Sequence, residues 1–355
     1  MSSNSPRACA RAEVARLAGV AIVAAVLVAA ATGCGRGSGE AARWDSEGRP
    51  QHRSFVAERW DTLWSVGGPR DSTLLNPFLL SAADSALYVY DGAARRVVAL
   101  SAADGHVLWR YGRQGAGPDE FMGVRDLKRA DDGGVFVLDP RNDRVTRLDA
   151  RGGVTARIPL DAVGHAEQMA PLPDGSVVLL TMLPDSAFAV VDGSGRVTRR
   201  FAVPWPGFAR LDPLARQGFI AAQHGRWVYG FSMGDGWFPF DGLTPGRFAG
   251  RYVEHTDFPK VETHAQGSQT VTQMAEYNAC SACSISLWNA TLYVHFGGYG
   301  DAPRRTVDRY DLASGRYLGS DRLPIEATAV EGAGDRIYVL AENPYPVLLV
   351  LKPHA

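Results

Sequence analysis

The residues best suited to chemistry in this 355-residue chain are a close pair of cysteines and a thin set of histidines. Cys280 and Cys283 stand in the run ACSAC, residues 279–283. Such a pair serves haem attachment, metal binding, thiol–disulfide exchange or a structural bridge. Haem attachment needs a histidine directly after the second cysteine, and Ser284 occupies that place. Zinc needs two further ligands, and no second cysteine pair follows. A thioredoxin-type pair opens a helix against a βαβ core, and no such core is visible. The leading expectation is a local disulfide between Cys280 and Cys283; a redox role for the pair stands as an alternative. Closing so small a loop removes little chain entropy, so the bridge would set local shape more than global stability. The chain has no Gly-x-Ser-x-Gly elbow and no His-Glu-x-x-His pair. No catalytic residue is therefore assigned, and no cofactor is expected.

The elements that must position these residues are strands. After residue 31 helical periodicity is nearly absent, and short apolar strings alternate with Gly and Asp turns, the all-β pattern. The strings repeat. Residues 86–112, 134–160, 176–203 and 291–324 each read strand, turn, strand, Gly turn, strand, with the last turns near Gly105, Gly152, Gly195 and Gly315. Residues 227–253 supply a further unit in the long gap. A period of roughly 40 to 50 residues with about four strands per unit predicts a β-propeller. The last unit, 327–355, stops after three strands, while AERWDTLWSVGG at 57–68 is similar to the outer strand HVLWRYGRQG of the first unit. Residues 60–66 are thus expected to complete the last blade and remove the open edges. Counting units gives a six-bladed β-propeller over 57–355.

RYGRQGAGPDEF, 110–121, carries a family likeness through Gly112, Gly115, Gly117, Pro118, Glu120 and Phe121. It resembles the linker of six-bladed propellers related to NHL repeats, common among bacterial lipoproteins, and DPRNDRVTRLD at 139–149 is similar to the NHL strand pair. The resemblance spans roughly 57–355 and implies a fold more than a function, because the family includes ligand binders, interaction modules, lyases and lactonases. For the enzymes among them it implies metal ligands on inner strands or their entry loops. The best such set here is His165 and His264 with Glu167 and Glu262. A metal-dependent hydrolase or lyase holding a divalent ion there is the enzymatic alternative.

The amino terminus supplies an address. Arg7, Arg11 and Arg16 precede an uncharged apolar run at 17–31, the pattern of a secretory signal. Ala31, Thr32 and Gly33 lead to Cys34. The stretch resembles a bacterial lipoprotein cleavage box, with Ala31 where a leucine is usual, and the resemblance implies that Cys34 is lipidated. Cleavage at an Ala-x-Ala site and an uncleaved anchor are the alternatives. The expected organisation is a signal peptide over 1–33, a flexible tether over 34–56 and the propeller over 57–355. The chain would then sit in the bacterial cell envelope, held to a membrane by lipid, on the periplasmic face or the outer surface. Without residues 1–33 the net charge moves from −1 to about −3, which is no nucleic-acid footprint. The pairs Arg95–Arg96, Arg199–Arg200 and Arg304–Arg305 read as solvated hairpin faces.

One aromatic segment stands out. GDGWFPFDG, 234–242, places Trp237, Phe238 and Phe240 in what reads as a Gly, Pro and Asp turn region, and Trp205 lies on the preceding linker. Loops carry binding more often than strands do, and aromatics are enriched at recognition surfaces. These four residues are the expected binding patch of a non-catalytic binding or scaffold protein whose partner is a protein or small ligand of the envelope. Packing within the blade is the structural alternative for them.

Overall fold

The computed structural model describes residues 43–44, 52–181, 183, 186–266, 269–275, 279–298 and 304–354. The expected signal segment, Cys34 and most of the expected tether lie outside the described residues. The fold is an all-β propeller of six blades. The inner strands, in chain order, are Pro77–Ala82, Asp126–Arg129, Ala166–Pro171, Gly218–Gln223, Ser284–Trp288 and Ala329–Ala333. Each packs on the next, and the last packs on the first, so they form a closed ring around a central channel.

Each blade has two apolar faces and must be covered on both. Six clusters of buried side chains meet this need, one at each seam between neighbouring blades. The turn glycines help set the seam. Gly105 and Gly152 have φ of 77° and 84°, the left-handed region that glycine adopts without a steric penalty. A Cβ on Gly105 would lie 2.6 Å from the Trp64 ring, and one on Gly152 would lie 2.8 Å from Trp109. Each turn thus receives an indole from the outer strand of the preceding blade. Trp64 and Trp109 also donate their ring N–H groups across the seam, to the carbonyls of Ala102 and Ala150. The two tryptophans hold equivalent places, which is why 57–68 is similar in sequence to the first outer strand.

Closure follows from that equivalence. Trp60–Gly67 pairs antiparallel with Val347–Pro353 as the outer strand of the sixth blade. Before reaching it, the chain adds Phe55–Ala57 in parallel beside Tyr317–Arg322, giving the fifth blade a fifth strand. Arg53 fixes this arm: it donates to Asp308 at 2.8 and 3.0 Å and pairs with Glu254 at 2.5 Å. The docked chain therefore begins before residue 57. The long stretch between the fourth and fifth blades holds a two-stranded hairpin, Val261–Gln266 with Gln269–Met274.

Trp237, Phe238 and Phe240 do not lie in a loop. The turn ends at Gly236, and Trp237–Asp241 is the third strand of the fourth blade, paired with Arg226–Phe231. The three rings are 0%, 1% and 3% exposed. Alternation sends Phe238 and Phe240 to the seam with the third blade and Trp237 to the seam with the fifth. Phe240 stacks on Trp227 at 3.9 Å between ring centroids. The expected aromatic binding face is corrected on this point: these rings are core, because period-two alternation on a strand with two covered faces buries every side chain. Trp205 is half-buried and stacks on Phe238 and Phe258 at 6.4 and 6.1 Å.

Candidate functional site

The channel opens on one face of the disc as a cavity of 790 Å³. Its wall comes from two kinds of segment. The loops entering the inner strands contribute Met122, Val124 and Arg125, Gln217, and Cys280 with Cys283. The turns between the second and third strands contribute Arg95, Arg141, Met233 and Arg304. Asp91 and Asp139 tie these two kinds of segment together. Asp139 accepts from the backbone N–H groups of Met122 and Gly123, each at 2.9 Å, and from the Asn142 side chain at 2.9 Å. Asp91 accepts likewise from Leu75 and Asn76. Each carboxylate sits at the end of its second strand and is fully buried, so each loop is held rigidly against its turn.

The funnel mouth is cationic. Arg95, Arg125, Arg141 and Arg304 line it, with Glu167 as the one carboxylate among its described lining residues. Arg95 and Arg304 have φ of 52° and 56°, a left-handed backbone that costs a residue with a Cβ on the order of 1 kcal/mol. Other contacts hold them there. Arg95 donates to the Met122 carbonyl at 3.2 Å. The carbonyl of Arg304 accepts from His295 Nε2 at 2.9 Å, which places the ring proton on that nitrogen. Burial pushes the His295 pKa down to about 4, so the ring stays neutral near pH 7. Arg125 faces Glu167 at 3.7 Å. His165 Nε2 also meets Glu167. The apolar part of the wall includes Phe78, Met122, Phe219, Met233 and Met274.

Deeper down, the channel narrows to 100 Å³. Asp126 accepts from Lys128 Nζ at 2.6 Å and from the N–H groups of Leu127 and Met169 at 2.9 and 2.8 Å. Arg129 bridges the ring at its far end. It donates to Ala82 of the first blade at 2.8 Å and to Leu287 of the fifth at 3.0 Å, and its guanidinium lies over the Trp288 ring. Glu331 accepts from the Ala82 N–H at 3.3 Å. Burial pushes its carboxyl up to about 7, against the pull of Arg129 and Lys128.

Cys280 and Cys283 form a disulfide, and it lies in the funnel wall. A Cβ on Gly297 would come within 2.4 Å of either sulfur, so only glycine leaves room for the bridge there. The intervening Ser281 is fully buried; its hydroxyl accepts from Thr256 N–H and donates to the Gly234 carbonyl, both at 2.7 Å. The bridge thus shapes a wall that hydrogen bonds already hold.

Of the residues expected to bind metal, His165 is at the rim beside Glu167, while His264 is exposed on the inserted hairpin, opposite Val271. Among the described residues, no group of three or more His, Cys, Asp or Glu side chains is placed to hold a metal ion. No described helix is long and apolar enough to cross a membrane. Of the arginine pairs read as solvated faces, Arg199 and Arg200 are exposed as expected, while Arg95 and Arg304 line the funnel. Arg95 and Arg304 each close the turn before a third strand, and that shared position in the repeat is the signal that finds them.

No family model matches the sequence, and no curated protein matches it. Among solved structures, a member of the DUF4221 family from Bacteroides vulgatus superposes with a TM-score of 0.53 at 12% identity, covering 85% of this chain and 99% of that one. Virginiamycin B lyase from Staphylococcus aureus does so with a TM-score of 0.49 at 10% identity, covering 83% and 99%. The Pan2 WD40 domain of Neurospora crassa gives 0.48 at 12% identity, covering 86% and 98%. At such identities the likeness is one of fold, and the chain is similar to these proteins as a β-propeller.

Proposed function

We propose that this is a lipid-anchored propeller of the bacterial cell envelope, related to NHL-type lipoproteins, that binds a small ligand in the funnel without transforming it. The observation that carries the reading is the funnel itself: 790 Å³, open on one face and bridged at the far end by Arg129. Pockets of about 300–1,000 Å³ with apolar walls and a few placed polar groups suit small molecules. The anchor rests on the charged start, the apolar run and Cys34. Native mass spectrometry of protein extracted gently from its host membranes should find a retained small molecule. Met122→Trp, which places a large ring on an exposed rim position, should empty the site; undiminished occupancy refutes the funnel as the site. Mass analysis of the N-terminal peptide tests the anchor, which fails if the mature chain begins elsewhere than a diacylated Cys34.

A second reading, a metal-dependent hydrolase or lyase, is favoured by one observation. His165 and Glu167 meet at the rim, and Glu167 lines the cavity. Metal analysis of protein purified without chelator, compared with His165→Ala, distinguishes the two. A stoichiometric divalent ion lost in the variant supports the enzyme.

A further inference from the structure

We infer that the funnel takes an amphipathic organic anion: a carboxylate or phosphate head at the arginine rim and an apolar body against the wall below. The inference rests on the funnel being the binding site, and it goes on to say what that site selects.

Four guanidinium groups converge from three separate blades: Arg95 from the first, Arg125 and Arg141 from the second, and Arg304 from the fifth. One carboxylate stands among the described lining residues, Glu167, and it already faces both His165 and Arg125. Among the described residues, Arg141 and Arg304 make no ion pair and no side-chain hydrogen bond. Like charges gathered with one acid among the described lining residues repel one another, and here two of the four are held on left-handed backbone at the mouth. Such strain persists where surrounding structure over-determines it, and it clusters at ligand sites. An anion relieves the repulsion and receives forked, planar donors suited to carboxylate and phosphate. A fully polar ligand would leave Phe78, Met122 and Phe219 unused. Phe78 and Met122 are 38% and 40% exposed, large apolar side chains facing solvent at one mouth.

The test uses the folded mature protein and four probes of equal chain length, in titration calorimetry: octanoate, octyl phosphate, 1-octanol and octyltrimethylammonium. At least one of the two anions should bind about tenfold or more tightly than octanol, and the cation weakest of all. The two anions together tell which head the rim prefers. Arg141→Gln with Arg304→Gln should weaken the anion by about tenfold and leave octanol unchanged. Both side chains are exposed, so folding should survive, as a circular-dichroism melt will show. Should the double variant unfold, raising salt from about 50 to about 300 mM on the parent protein gives the same answer, since screening weakens the anion alone. Octanol binding as tightly as both octanoate and octyl phosphate overturns the anionic class and leaves the funnel a binding site. No binding by any of the four overturns both.

Discussion

Replacing Glu331 with glutamine should make the protein more stable as the pH rises, relative to the parent. The carboxyl lies deep in the channel and faces Arg129, Lys128 and Asp126; burial raises it from an ordinary 4.5 to about 7. A carboxyl with a folded pKa above its unfolded one stabilises the fold below the unfolded value. That stability is lost as pH rises from about 4.5 through about 7, because the unfolded chain releases the proton first. One pKa unit is about 1.4 kcal/mol, so keeping this group folded costs about 3 kcal/mol at about pH 8 and under about 1 kcal/mol at about pH 5. Glutamine retains the oxygen that accepts from Ala82 N–H and never ionises. The advantage of Glu331→Gln over the parent should therefore grow by about 2–3 kcal/mol between those two pH values. Urea denaturation followed by tryptophan fluorescence reads this directly. Other titrating groups, His295 and Asp321 among them, are present in both proteins and cancel in the difference. Parallel pH profiles would refute the reasoning, and a difference of opposite sign would mean that the attraction of Arg129 outweighs burial.

Arg129→Met keeps the apolar stem but removes two hydrogen bonds to buried carbonyls and the main cation facing Glu331. It should destabilise the fold by about 3–5 kcal/mol, measured by the same urea titration. Trp237→Ala opens a cavity at the seam of the fourth and fifth blades and should cost about 3–5 kcal/mol, a large share of the roughly 5–15 kcal/mol of a typical domain; a loss below about 1 kcal/mol would mean the ring is not core. Deleting residues 57–67 exposes the edge of Val347–Pro353 and uncovers the seam with the first blade. Limited proteolysis should then cut the sixth blade rapidly, and parent-like resistance would show that the closing strand is dispensable.

The sequence by itself determined the class of fold, the number of blades and the strand that closes the ring. Those features are local and repeated: alternating apolar strings, Asp and Gly turns, and a tryptophan at the same place in 57–68 as in the first outer strand. Gly105, Gly152, Gly195 and Gly315 mark their turns because the left-handed backbone there excludes most other residues. The close pairing of Cys280 with Cys283 was equally legible from its spacing. Only the tertiary structure decided where the site lies. Trp237, Phe238 and Phe240 read as a turn from their Gly, Pro and Asp neighbours, but the neighbouring blades bury them on both faces. Arg95 and Arg304 read as ordinary hairpin charge, yet closing the ring gathers their turns, and that of Arg141, at one mouth. Arg129 and Glu331 are about 200 residues apart in the chain and both reach Ala82 of the first blade. A repeat pattern specifies each blade from within, whereas the channel is built from one strand of every blade, and its chemistry exists only once the ring has closed.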